Sequence, residues 1–272
     1  MVDASVLVDT SPFHVPVSQE HTVAPAEQSM TRSAQREQRA ARILDAAGDL
    51  LVTWGYPKIT IEDVARRAGV GKGTVYLHFP TKEVLFLVVV LRAQSALTEQ
   101  LASTMRRSPE EILPSAMARS VYLSMGDSPV ISAIMTGKSE TLGTLARTAA
   151  EHSRDLVSDR ISTSHAYFDL LVEHGLLRSD RPRNDLVYAY TSVMTGYLLA
   201  EPILTSQPGL PQPESREHRA DILADSIRAT LGEGGTTDAL AAAWPKVAAL
   251  YEELARRARA EVDRYLQSTR DT

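Results

Sequence analysis

The sequence has no cysteine in its 272 residues. That excludes disulfides, thiolate metal sites and cysteine nucleophiles, and it agrees with a reducing cytoplasm. No lysine or arginine precedes Arg32, so the start lacks the basic region that opens a secretory signal. Long apolar runs are missing as well. The longest, Val84 to Leu91, falls far short of the roughly 20 residues that a membrane span requires. The expectation is a soluble cytoplasmic protein with no membrane partner. An excess of positive charge is also lacking, since 29 Lys and Arg stand against 34 Asp and Glu for a net charge of −5.

The distribution of that charge says more than its sum. Residues 1–30 carry −4 with no Lys or Arg, residues 31–92 carry ten basic against six acidic residues, and residues 93–272 return to −5. A basic block inside an acidic chain is the footprint of a local phosphate-binding surface. The apolar share of 43% is enough for one substantial core, or for a small domain joined to a larger one.

Residues 1–31 show no helical period, contain Pro12, Pro16 and Pro25, and are expected to form a disordered tail. From Ala34 onward Ile43, Leu44, Ala47, Leu50, Leu51 and Trp54 recur at spacings of three and four, the stripe of an amphipathic helix closed by Gly55 and Pro57. Almost everything downstream also reads as helix. Thr81 caps a long one towards Met105, apolar nearly all round from Val84 to Leu91, as a connector between two domains would be. Ser108-Pro109-Glu110-Glu111 is a helix start, and short helices follow between Gly126 and Ala150. Longer ones end at His174, run from Asn184 or Asp185 to Leu204, and run from Ser215 to Leu231. After Gly232 to Gly235 a last helix extends from Asp238 to Leu266. No strand or repeat is evident. The fold class is all-α: a tail at 1–31, a small helical domain at 32–92, and a larger helical domain at 93–272.

The segment Thr60 to Phe79 carries the chemistry. Thr60 can accept the N–H of Asp63 and so cap a short helix, with Ile61, Val64 and Ala65 on its inner face. Gly69 can take the left-handed conformation that ends this helix, and Val70 then plugs the corner. Val75 and Phe79, four apart, face inward on a second short helix. That leaves Lys72, Gly73, Tyr76, Leu77 and His78 outward, a face suited to a DNA groove. Lys82 stands at the start of the following helix, where the free N–H groups already favour an anion.

Gly55-Tyr56, Thr60 to Ala65, Ala68-Gly69-Val70, Gly73 to Tyr76 and His78 to Glu83 together resemble the DNA-binding domain of the tetracycline-repressor (TetR) family, over about Ala34 to Leu91 with the motif at about 59–78. The resemblance implies a three-helix helix-turn-helix domain followed by a helical domain that binds a small-molecule effector and forms a homodimer. It implies repression of a palindromic operator on double-stranded DNA. By position, Thr60, Thr74, Tyr76, His78 and Lys82 correspond to phosphate-contacting places, and Lys72, Gly73 and Leu77 to base-reading ones. Beyond Leu91 only the helical layout is shared, and the tail and the helix after Gly235 depart from the shortest members.

Other readings carry less. Gly69 to Thr74 is no nucleotide loop, because Arg66 and Gly73 occupy the places where that loop needs a glycine and a Ser or Thr. Glu151-His152 and Glu173-His174 lack a second histidine at metal-ligand spacing, and no nucleophile–base pair is visible. No enzyme activity, metal or cofactor is expected. Arg36, Arg39 and Arg42 are either a solvated face or auxiliary phosphate contacts. Candidates for an effector pocket are Tyr122, Met125, Met135, His165, Tyr167, Phe168, Tyr190 and Met194. Ala189, Ser192, Gly196 and Ala200 form a stripe of small residues that would let a second helix approach, and are candidates for the dimer interface. The rival to a regulator is a helical small-molecule binding protein whose DNA-binding domain is vestigial.

Overall fold

The computed structural model of the chain describes residues 25–135 and 139–267. Its α-helices are α1 (Pro25–Trp54), α2 (Ile61–Ala68), α3 (Lys72–His78), α4 (Lys82–Arg107), α5 (Pro114–Asp127), α6 (Pro129–Met135), α7 (Ser139–His152), α8 (Arg154–Glu173), α9 (Arg183–Thr205), α10 (Arg216–Leu231) and α11 (Thr237–Gln267). No strand occurs among the described residues, and the protein is all-α, with an N-terminal helix-turn-helix domain joined to a larger helical one.

Two expectations need correction. Residues 25–31, assigned to a disordered tail, belong to α1. Proline suits the first turn of a helix, where the N–H has no intrahelical partner, and no glycine or further proline follows until Gly48. The remainder of that tail, residues 1–24, lies outside the described residues. The helix expected from Ser108 is only a 3₁₀ turn, Pro109–Ile112, and α5 starts afresh at Pro114. Leu113 is extended (φ −71°, ψ 140°), the conformation that the residue before a proline prefers.

Two apolar cores hold the helices. The first gathers Ile43, Leu44 and Leu51 of α1, Val64 of α2, Val75 and Phe79 around the end of α3, and the run Val84 to Val89 of α4. It does not stop at the small domain. Ile134 of α6, Leu145 of α7 and Leu156 of α8 belong to the same cluster. The second core joins Met105, Ile112, Tyr167, Phe168, Leu171, Leu223, Ile227 and Val247. α4 runs unbroken across residue 92, where the domain boundary was expected. Among the described residues it alone has the length and hydropathy to cross a bilayer. That apolar surface is spent on packing against α1, α6, α7 and α11.

α11 lies across both cores. Ala243, Val247, Tyr251 and Leu254 from its first part join the second core, while Ala258, Val262 and Tyr265 join the first. Polar contacts pin both parts. Trp244 Nε1 donates to the carbonyl of Met105 at 2.6 Å, and the Tyr265 hydroxyl donates to that of His152 at 2.9 Å.

Candidate nucleic-acid interface and internal cavities

The turn between α2 and α3 is built from local chemistry. Thr60 Oγ1 accepts the N–H of Asp63 at 3.2 Å, and Asp63 Oδ2 in return accepts the Thr60 N–H at 3.0 Å and its hydroxyl at 2.6 Å. These bonds, with a further contribution from Arg66, hold the Asp63 carboxyl below its ordinary range. Gly69 ends α2 with φ 66° and ψ 39°, a left-handed geometry that costs glycine little. Val75 and Phe79 are fully buried behind the turn.

On the outer side Lys72, Gly73, Tyr76 and Leu77 are exposed and Thr74 is half-buried. Lys72 pairs with Glu62 on α2, and its ammonium lies 6.0 Å from the Tyr76 ring centroid. The hydrogen bond to that carboxylate is the main reason the Lys72 pKa lies above its usual value. Gly73 has no packing reason to be glycine, since a Cβ there would meet nothing within 4 Å. Glycine inside a helix costs about 0.5–1 kcal/mol relative to alanine, so a close approach from outside is the better account.

Three expected phosphate contacts look different in place. Both donors of Thr60 are committed to Asp63, so Thr60 serves first as the cap. Lys82 is half-buried, donates to the Tyr56 carbonyl at 2.9 Å, and lies 4.3 Å from the Tyr56 ring centroid. Burial lowers its pKa, and the ammonium is fixed in direction with donors to spare. Burial, seconded by Glu83, pushes the Tyr56 hydroxyl up to about 12. His78, expected to point outward, is buried at 4% exposure. The reason is spacing, because residues three and four beyond Val75 share its inner face. The His78 ring lies against Phe79, its Nδ1 has no hydrogen-bond partner, and burial followed by the charges of Arg39 and Arg36 lowers its pKa. Among the described residues neither arginine has a carboxylate within 4.0 Å, which places two uncompensated cations beside the end of α3.

Two cavities among the described residues of the larger domain bear on function. One, of about 340 Å³ and partly open to solvent, lies between α4, α5, α6, α7 and α8. Leu87, Val90, Leu91, Gln94 and Leu97 line it from α4, Met125 from α5, and Ile131, Ile134 and Met135 from α6. Leu156, Val157 and Arg160 line it from α8. Its wall is continuous with the first core, since Leu87, Leu91, Ile134, Leu145 and Leu156 belong to both. α6 also touches α1, and a Cβ on Gly48 would sit 3.6 Å from Val130 Cγ2. The other cavity, of about 590 Å³, lies between α9, α10, the end of α5 and the proline-rich loop after α9.

Of the eight pocket candidates, Met125 and Met135 line the first cavity and Tyr122 the second. His165 is half-buried on α8 and lines neither. Tyr167, Phe168 and Met194 are buried in the second core and Tyr190 packs against it, and none of the four lines either cavity. Tyr167 stacks edge-on against Phe168 and Tyr251 at 5.2 and 5.6 Å, and its hydroxyl donates to the Ile112 carbonyl at 2.8 Å. A buried tyrosine with its hydroxyl satisfied by backbone fits a core better than a chamber. Sequence reasoning missed Gln94 and Arg160. Their one available signal was a polar residue interrupting an apolar stripe, Leu87-Val90-Gln94-Leu97 on α4 and Leu156-Val157-Arg160 on α8.

In the small-residue stripe Ser192 and Gly196 are exposed, while Ala189 and Ala200 are half-buried. A Cβ on Gly196 would meet nothing within 4 Å, but Gly196 and Ala200 line the 590 Å³ cavity and Ala189 packs against the second core, so the stripe is only partly open. The same helix exposes Tyr188 at 76% and Ile203 at 61%. The two histidines weighed against metal binding have other partners. His152 Nδ1 contacts the Thr148 carbonyl at 3.2 Å, and His174 Nε2 lies 3.1 Å from Lys246 Nζ.

Comparison with known proteins follows the same division. Residues 43–89 match the family described as bacterial regulatory proteins, tetR family. The transcriptional regulator AlkX of Mycobacterium tuberculosis is 28% identical over 118 residues, 43% of this chain and 56% of its own. The transcriptional repressor Rv3405c of the same organism is 36% identical over 98 residues, 36% of this chain and 50% of its own. The chain thus spans about half the length of the curated relatives it matches. Among solved structures, the fatty acid degradation regulator FadR of Bacillus halodurans superposes with a TM-score of 0.52 at 12% identity. That likeness covers 70% of this chain and 94% of the other, and it is one of fold.

Proposed function

We propose that this chain, whose residues 43–89 match the tetR family of bacterial regulatory proteins, is a cytoplasmic, homodimeric repressor that leaves a palindromic operator when a small molecule enters the 340 Å³ cavity. The observation that carries this reading is α4. Its first turns are the core of the helix-turn-helix domain, and its next turns are the cavity wall. A ligand that displaces Leu87, Val90 and Leu91 acts on the same rigid element that supports α1, α2 and α3. Movement of α6 reaches α1 directly through the packing of Val130 at Gly48. Such a ligand shifts the protein between DNA-competent and incompetent arrangements by its differential affinity for the two.

Lys72, Gly73 and Leu77 would read base edges in the major groove, with Lys72 exchanging Glu62 for DNA. Thr74, Tyr76 and Lys82 would hold phosphates, reinforced by Arg36 and Arg39, while Thr60 and His78 support the surface from behind. The small-residue stripe of α9, with Ala189, Ser192, Gly196 and Ala200, would meet its two-fold mate and set the spacing of half-sites. No cofactor, metal or catalytic step enters this reading.

An electrophoretic shift on the intergenic DNA beside the gene tests it. The expected result is saturable binding to a palindrome, weakened by a ligand that occupies the cavity. Ligand binding without affinity for any DNA would favour the rival, a small-molecule binder with a vestigial DNA domain.

A further inference from the structure

We propose that the effector is an amphipathic carboxylate, its carboxylate held by Arg160 and its aliphatic part by the chamber between α4 and α8; this rests on the reading of that chamber as the effector site. The lining is aliphatic and methionine-rich, with Gln94 and Ser153 as its uncharged polar side chains and Arg160 as its one charged residue. Most arginines of this protein face a carboxylate, as Arg257 faces Asp159 and Arg259 faces Glu99. Arg160 does not. Among the described residues its hydrogen-bond partner is the neutral Gln94, whose Oε1 accepts from Arg160 Nη1 at 2.6 Å. Its side chain is exposed, so the guanidinium stays charged where the chamber meets solvent, with no carboxylate within 4.0 Å among the described residues.

Five N–H donors in a planar fork, with one used by Gln94, match a carboxylate in two-point geometry. Size narrows the class further. At roughly 30 Å³ per water-sized group, 340 Å³ accommodates on the order of ten non-hydrogen atoms, an aliphatic acid of medium length.

The test is calorimetric titration of the full chain with octanoate, octan-1-ol and octylamine, which share one alkyl chain and differ in head group. Octanoate should bind about tenfold or more tightly than octan-1-ol, with octylamine weakest. Arg160→Met should lose that advantage while keeping affinity for octan-1-ol, and Arg160→Lys, which keeps the charge but not the fork, should fall between. Ala149→Phe, which fills the chamber, should weaken all three ligands. Equal affinity of wild type for octanoate and octan-1-ol, unchanged in Arg160→Lys, overturns the carboxylate assignment and leaves the chamber as the site. Failure of all three to bind, or binding indifferent to Ala149→Phe, overturns the chamber itself. Helical circular dichroism of each variant accompanies the titrations, and Arg160→Lys decides if Arg160→Met does not fold.

Discussion

α3 and α8 each present a face to something outside the protein's own backbone, and they differ in how that face is made. α3 has seven residues and owes its position to a cap, a left-handed glycine and two buried side chains, all within twenty residues of sequence. α8 has twenty residues, and its cavity face acquires meaning only when α4, α5, α6 and α7 arrive from elsewhere. A surface organised by a turn is written locally and can be read from spacing. A chamber organised by five helices is a product of packing, and its chemistry depends on which side chains are left without partners.

The largest effect that would sharpen this contrast concerns assembly, which belongs to the packed domain alone. Gly196→Trp should fold, because nothing in the protomer occupies the space, yet sediment as a monomer. Losing the linkage between two half-sites should weaken operator binding by about a hundredfold or more. A variant that sediments as a dimer and binds normally would move the interface off α9.

At the DNA end the expected losses are smaller and separable. Lys72→Ala should cost roughly 1–3 kcal/mol of discrimination between operator and altered sequences. Lys82→Ala should weaken all DNA alike and lower the slope of log affinity against log salt by about one unit per protomer. Competition binding over a salt series distinguishes the two, and identical profiles would erase the division of roles between them. Glu62→Gln should tighten binding modestly, since it releases Lys72 from its ion pair and removes a negative charge from the face. An unchanged or weaker affinity in filter binding would show that Glu62 positions Lys72 more than it restrains it.

The smallest effect is a pH dependence seated in His78. Its pKa in the folded protein is depressed, so between that value and the unfolded value near 6.5 the unfolded chain binds more protons. Stability contributed by the neutral ring is therefore full above pH 6.5 and declines as the pH falls through and below it. Comparing denaturation midpoints of wild type and His78→Gln at pH 7.5 and 5.5 should show a shallower decline in the variant. Parallel declines would place the acid sensitivity elsewhere.

The helices, the caps and the reading face were legible because each depends on neighbours in sequence: Thr60 with Asp63, Gly69 after α2, Val75 with Phe79. The misreading of His78 came from following its place in the motif when its spacing from Val75 already put it inside. The pocket was less legible for a physical reason. Tyr167 and Phe168 have the same composition and spacing as lining residues, and only the Ile112 carbonyl that receives the Tyr167 hydroxyl identifies them as core. Conversely, nothing near Arg160 in sequence reveals that its side chain would lack a carboxylate, because the residues that could have supplied one lie on other helices.

α11 carries a consequence for how the protein comes apart. A helix whose first part is anchored at Met105 and whose last part is anchored at His152 cannot release one core while the other stays intact without breaking in its middle. The two cores should therefore melt in one cooperative calorimetric transition, and amide hydrogens of α1 and α8 should exchange through openings of similar free energy. Cutting the chain before Thr237 would divide that transition in two.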